Sequence, residues 1–211
     1  LYHMAKGYPD TRLVLFTNRE NDPVLRKDLS HFRQVEFQQL KFRASNRFIR
    51  ILREQTELPI KVKRSGIDVL WSPGYTAPFF SSCPQVTSIL DMQYKSHPDD
   101  MTPVARVVTD ILVQTAVRRS QHILTISNFS KQEILRHTSA SERRITVTHL
   151  AAGPEFSSIA LIENRNSKRI EPKHKIPRKP YILSVSNTYP HKGVHILVEA
   201  FGRIMNDVDY D

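Results

Sequence analysis

The chain has 211 residues, with 31 lysines and arginines against 21 aspartates and glutamates, and its formal net charge at pH 7 is +10. This length suits one large α/β domain or one and a half, and a hydrophobic content of 39% excludes a disordered chain. The positive charge predicts an anionic partner such as a nucleotide, a phospholipid surface or a nucleic acid, while Cys83, the single cysteine, excludes an intrachain disulfide.

The first part of the chain alternates strand-like and helical segments. Short apolar runs predict strands at residues 12–17, 34–40, 67–71 and 86–90. A helix is predicted over residues 46–57, in which Phe48, Ile51, Leu52 and Gln55 fall on one face. No apolar run approaches the roughly 18 residues that a membrane span requires.

The alternation continues after residue 100. Thr102 and Pro103 predict the start of a helix, whose apolar side is composed of Val104, Val107, Val108, Ile111, Leu112 and Ala116. Strands are predicted at residues 123–126 and 145–149, and Ser130 with Glu133 fits the capping box of a short helix. Strands that alternate with helices predict an α/β fold with a Rossmann-like, doubly wound parallel sheet.

Residues 163–180 differ from the rest of the chain because they are polar, basic and rich in proline. We interpret them as an exposed linker that marks a domain boundary. A new unit begins at Tyr181, with a predicted buried strand, a polar turn and an amphipathic helix.

The turn of this new unit carries the first candidate site. Lys192 can neutralise a diphosphate, and Gly193 can begin the helix while letting a ligand approach the backbone. Asn187 adds a short polar side chain at the predicted strand end. The alternative is a solvated lysine in an ordinary turn.

Two further candidates follow predicted strands. Asp91 can accept hydrogen bonds from a sugar hydroxyl or act as a base, or it can cap the turn that follows it. Ser127 is expected mainly to cap a helix, and its hydroxyl and the helix N-terminus can also border a ligand cleft.

The segment 41–64 is strongly basic, with eight lysines and arginines against Glu54 and Glu57. A helix with one apolar face and many arginines can lie on an anionic membrane surface. The alternatives are a solvated outer helix and, with no recognised motif, a nucleic-acid surface. The sequence has no metal-ligand spacing, no dinucleotide-binding glycine motif and no P-loop, which argues against a dehydrogenase or a P-loop enzyme.

Four ordered stretches resemble the retaining glycosyltransferases of family 4, which have the GT-B fold. They are LREQTELPIKVKRSGIDVLWSPGYTAP (52–78), VTSILDMQY (86–94), HILTISNFSKQEILRH with ITVTHLAAGPEF (122–137 and 145–156), and YILSVSNTYPHKGVHILVEAF (181–201). The resemblance implies an acceptor-binding domain over residues 1–156 that lacks its first strand, a linker over 157–180, and the start of a nucleotide-sugar domain over 181–211.

The resemblance also implies roles for single residues. Lys192, Gly193 and Asn187 would bind the donor diphosphate without a metal or cofactor, and Asp91 would be the catalytic carboxylate near the acceptor and sugar. The remaining cleft-lining residues would be Ser127, Gly153 and Glu155. Asn187 stands where the family often has an arginine, and Leu90 where it often has a histidine. The family's paired glutamates would lie beyond Asp211, so the isolated chain is expected to have little or no activity.

The implied reaction moves a sugar from a UDP-type or GDP-type nucleotide sugar to a hydroxyl acceptor in bacterial polysaccharide or glycolipid synthesis. The acceptor would be a glycan or a lipid-linked glycan. The expected location is cytoplasmic, with segment 41–64 resting on the inner membrane face. The alternative function is a non-catalytic α/β module that binds a nucleic acid or another polyanion.

Overall fold

The structure is a computed structural model that describes residues 1–40, 42, 47–152 and 181–205. Two compact units are present. The first contains Leu1–Ser96 with Met101–His149, and the second contains His97–Asp100 with Leu150–Asp211. Each unit is described by itself.

The first unit alternates helices and strands, and its strands overlap the predicted ones, whereas the helices at Asp22–Leu29 and Gln93–Ser96 were not predicted. In chain order its elements are α1 (Tyr2–Gly7), β1 (Leu13–Thr17), α2 (Asp22–Leu29), β2 (Val35–Gln39), α3 (Arg47–Arg64), β3 (Leu70–Ser72), β4 (Gln85–Ser88), α4 (Gln93–Ser96), α5 (Pro103–Arg119), β5 (His122–Thr125), α6 (Asn128–His137) and β6 (Ile145–Val147).

All strand pairs among these elements are parallel. β1 pairs with β2, with Leu13 opposite Val35. The other four strands form a second sheet in the order β3-β4-β5-β6, in which Thr87 of β4 lies opposite Ile123 of β5. The predicted α/β fold with parallel strands is therefore confirmed, and it is compatible with a Rossmann-like sheet.

The core of the first unit lies between the four-stranded sheet and its helices. Its largest buried cluster joins the sheet to α5 and α6 and is composed of Ile89, Met92, Tyr94, Val113, Val117, Ile123, Ile134 and Ile145. A second cluster, which includes Leu58 and Val62, lies under α3.

Helix α3 is longer than the predicted helix over 46–57, because it continues through Pro59 to Arg64. Pro59 has no N–H to donate to the carbonyl group of Gln55, a loss that costs about 3 kcal/mol in a helix interior. Leu58 and Val62, one turn apart, are 9% and 0% exposed in the second cluster. Burial of these two side chains offsets the cost of the proline.

The buried side of α5 agrees only in part with the predicted one. The N-cap prediction is confirmed, since the Thr102 side chain accepts a hydrogen bond from the Ala105 N–H. Of the predicted side, Ala116 is fully buried, but Val104, Val107 and Ile111 are 57–72% exposed. The other fully buried residues, Val113 and Val117, were not predicted. Apolar residues surround this helix, so its periodicity does not indicate which side meets the sheet.

Helix α6 begins earlier than the predicted capping box at Ser130 and Glu133. The N-cap is Ser127, whose side chain accepts a hydrogen bond from the Ser130 N–H at 3.0 Å. Ser130 is buried in the first turn. Glu133 is also buried and forms an ion pair with Arg136 at 2.9 Å, so it does not complete a capping box.

The second unit contains a 3₁₀ turn (Pro190–Lys192) and helix α7 (Val194–Ile204). The helix confirms the sequence prediction, but the predicted buried strand at 181–186 is wrong. Residues 181–189 have no strand structure, and Leu183 and Val185 are 74% and 89% exposed. Within the described ranges no strand pairs with this segment, and an extended chain is stabilised as a strand only when a neighbour accepts and donates its backbone hydrogen bonds.

Candidate functional site

The carboxyl ends of β3, β4 and β5 lie at one edge of the parallel sheet. Tyr75 follows β3, Asp91 follows β4 and Ser127 follows β5. Ligands of open α/β sheets bind outside this edge. The structure therefore brings the predicted site residues Asp91 and Ser127 to one edge of the sheet. Tyr75, which was not predicted as a site residue, lies at the same edge.

Asp91 is half-buried and takes part in two interactions. Its Oδ1 accepts a hydrogen bond from the Gln93 N–H at 3.0 Å, which confirms the turn-capping role. The charge of Asp91 also acts on the Tyr75 phenol, whose pKa it raises. The backbone amide orients the carboxylate, and an oriented carboxylate can bind a hydroxyl of a ligand or accept its proton.

Tyr75 has an unusual backbone, with φ of 46° in the left-handed region. Its N–H donates to the Ser88 carbonyl at 2.9 Å, which joins the turn after β3 to the end of β4. Burial raises the pKa of Tyr75 well above its ordinary range, and the charge of Asp91 raises it further. The phenol is therefore protonated at neutral pH.

Trp71 of β3 contacts Ser88, the same residue of β4 that the Tyr75 N–H contacts. The Trp71 Nε1 donates to the Ser88 Oγ at 2.9 Å, and the residue is 37% exposed. For the contacts of Trp71 and Tyr75 with Ser88, the only indication in the sequence was the turn that follows the predicted strand at residues 67–71. Partly exposed aromatic rings beside a few fixed polar groups are typical of small-molecule sites.

We expect the Tyr75→Phe variant to lose less stability at alkaline pH than the wild type does. Because the folded pKa of Tyr75 is raised, its contribution to stability is complete below the unfolded pKa of about 10 and is lost as pH rises above it. Urea unfolding at about pH 8 and about pH 11 should show a smaller difference for the variant than for the wild type. Tyr94, whose pKa burial also raises, still contributes to the pH dependence of stability in the variant. An equal change in the free energy of unfolding between the two pH values in both proteins would contradict a role of the Tyr75 pKa in stability.

Ser127 has the capping role that was its main predicted role. It also donates to the Ser130 Oγ at 3.0 Å. Both contacts hold the first turn of α6 at the carboxyl edge of the sheet. That Ser127 contacts a ligand stays a prediction.

Lys192, Gly193 and Asn187 lie in the second unit. Gly193 has φ of 65° and begins α7, whose start has no side-chain cap. Lys192, directly before it, is exposed. The Asn187 Oδ1 accepts a hydrogen bond from the Tyr189 N–H at 3.4 Å. A cation beside a helix N-terminus without a side-chain cap is suited to an anionic group.

Next to this turn, His191 lies against two residues of the same unit. Its Nδ1 is 3.0 Å from the Asp100 Oδ2, and its ring centroid is 4.8 Å from that of His97. These contacts hold the ring of His191 beside Lys192, and no local sequence pattern indicated them.

Some predicted features lie outside the described residues. These are Gly153, Glu155, the linker 157–180, and Lys41 and Arg43 of the basic segment. In the ranges that are described, no group of three or more His, Cys, Asp or Glu side chains could hold a metal ion. Within the same ranges, no helix has the length and apolar character needed to cross a membrane.

Comparison with known protein families and with curated proteins found no match to this chain. The function proposed below is therefore supported by the sequence motifs and by the geometry of the two candidate sites.

Proposed function

We propose that the chain belongs to a retaining GT-B glycosyltransferase of family 4 and contributes the acceptor side and the start of the donor side. The observation that carries the proposal is the Asp91 carboxylate, oriented by the Gln93 N–H at the carboxyl edge of a parallel sheet. The four ordered stretches that resemble the family support it, because Asp91 and Lys192 both fall in them.

In this proposal Asp91, at the sheet edge, binds hydroxyl groups. Its carboxylate accepts hydrogen bonds from the acceptor or the donor sugar and is the catalytic carboxylate. Tyr75, whose pKa is raised, stays protonated at neutral pH, and Trp71 provides an apolar surface for a sugar ring.

The turn of the second unit binds the other part of the donor. Lys192 neutralises the nucleoside diphosphate as it leaves, and the N-terminus of α7 adds its partial positive charge. The proposed donor is a UDP-type or GDP-type sugar, and the proposed acceptor is a glycan or lipid-linked glycan at the cytoplasmic membrane face.

The test is nucleotide binding by the chain, measured by thermal shift and calorimetry. UDP or GDP is expected to stabilise the protein more than UMP or GMP, because the second phosphate reaches Lys192 and the helix N-terminus. Equal effects of the diphosphates and monophosphates, or no effect of either, would contradict the proposal.

A second candidate is a non-catalytic module that binds polyanions. The observation in its favour is the net charge of +10, with eight cations between residues 41 and 64. A fluorescent DNA or RNA probe that binds at physiological salt, without nucleotide binding, would support this candidate over the transferase.

A further inference from the structure

Two adjacent phenylalanines are held at the surface in the loop between β3 and β4. Phe79 is 41% exposed and Phe80 is 71% exposed. Their rings meet edge to face with centroids 4.7 Å apart. Exposed aromatic side chains that are clustered, unlike scattered ones, mark interaction surfaces.

Hydrogen bonds from both sides hold this loop in place. The Gln55 Nε2 donates to the Ala77 carbonyl at 3.1 Å, and the Gln55 Oε1 accepts from the Phe79 N–H at 2.8 Å. The Gln85 Nε2 donates to the Pro78 carbonyl at 3.1 Å. The exposure of the rings is therefore imposed by the fold.

Gln55 also places the loop beside an exposed apolar side of α3. Leu52 lies three residues before Gln55 and Phe48 lies four residues before Leu52, so all three share one side of the helix. Phe48 and Leu52 are 79% and 61% exposed. We call Phe48, Leu52, Phe79 and Phe80 the aromatic patch.

Cations border the aromatic patch. The Arg119 guanidinium lies over Phe79 at 4.0 Å and near Phe80 at 5.8 Å. Arg118 beside it is exposed, as is Arg53 on α3, where Glu57 is its ion-pair partner at 3.0 Å. Apolar side chains surrounded by arginines, in a chain of net charge +10, complement a surface that is apolar inside and negatively charged outside.

We propose that the aromatic patch docks the protein on an anionic lipid bilayer, with Phe79 and Phe80 entering the boundary between headgroups and acyl chains. Arg118 and Arg119 would contact lipid phosphates. The inference rests on the membrane attachment within the proposed function. It identifies Phe79 and Phe80, which lie outside segment 41–64, as the residues that insert. Nucleic acid fits less well, because Arg119 covers the face of Phe79 on which a base would stack and the two rings are not parallel.

The test is co-flotation of the 211-residue chain with lipid vesicles. The chain is expected to bind vesicles in which about a third of the lipid is phosphatidylglycerol and the rest phosphatidylcholine, and to bind pure phosphatidylcholine much more weakly. Phe80→Ser is expected to reduce the partition coefficient by about tenfold or more, because a buried phenyl ring is removed.

Phe129→Ser is the matched control. Phe129 is 73% exposed, close to the value for Phe80, but it lies in the first turn of α6 and not in the loop between β3 and β4. The Phe129→Ser substitution should leave the partition coefficient unchanged.

Equal losses of vesicle binding in both variants, no loss in Phe80→Ser, or equal binding to neutral and anionic vesicles would overturn the inference. Binding of a single-stranded oligonucleotide that is lost in Phe80→Ser would overturn it too. Vesicle binding is measured without nucleotide, so its failure is separate from failure of the transferase proposal.

Discussion

Replacement of Lys192 by glutamine is expected to weaken the binding of UDP or GDP about tenfold to a hundredfold. A hydrogen bond to a charged group contributes about 1.5–3 kcal/mol, and about 1.4 kcal/mol corresponds to a factor of ten. Lys192 is exposed beside the uncapped start of α7, where its charge adds to that of the helix N-terminus. Titration calorimetry with the diphosphate measures the change directly.

The matched control for this variant is Arg203→Gln. It removes the same charge from the last turn of the same helix, where Arg203 pairs with Glu199 at 2.6 Å. We expect the control to change the affinity by less than about twofold, because an exposed charge at that distance is largely screened. Similar losses in the two variants would indicate attraction to the net charge of the protein and no specific diphosphate site.

Replacement of Ile123 by alanine is expected to lower the free energy of unfolding by about 2–5 kcal/mol. Ile123 lies in β5, between β4 and β6, and is 0% exposed in the largest core cluster. The substitution removes buried methyl and methylene groups and leaves a cavity between the sheet and its helices. Since small domains have stabilities of about 5–15 kcal/mol, this is a large part of the total.

Urea unfolding measures this loss, and Ile60→Ala is its control. Ile60 lies on α3 and is 52% exposed, so its truncation should cost less than about 1 kcal/mol. If the two variants lose similar stability, Ile123 does not lie in a packed core and the strand order β3-β4-β5-β6 is called into question.

Much of the fold of the first unit could be predicted because its signals are local. The predicted run at residues 12–17 is short and mostly apolar, with β-branched Val14 and Thr17, and its last five residues form β1. Thr102 caps α5 through the amide three residues ahead of it, so the cap is visible in the sequence. The positive φ of Gly193 follows from the lack of a side chain, and it fits the predicted start of α7.

The candidate site could be predicted in part. Asp91 and Ser127 were found because each directly follows a strand of a parallel sheet, which places both at the same edge. Tyr75 was missed because its importance comes from the contact with Asp91 and from burial, which raises its pKa. Both depend on a turn that crosses from β3 to the end of β4.

The amino-acid pattern alone was sufficient for an α/β fold with parallel strands and for the helix cap at Thr102, because these depend on neighbouring residues and on the alternation of strand and helix. Packing between distant parts of the chain decided which side of α5 is buried, how far α3 runs past Pro59, and that residues 181–186 do not form a strand. The physical reason is that burial and strand pairing require partners, and a partner far along the chain leaves no mark on the local sequence.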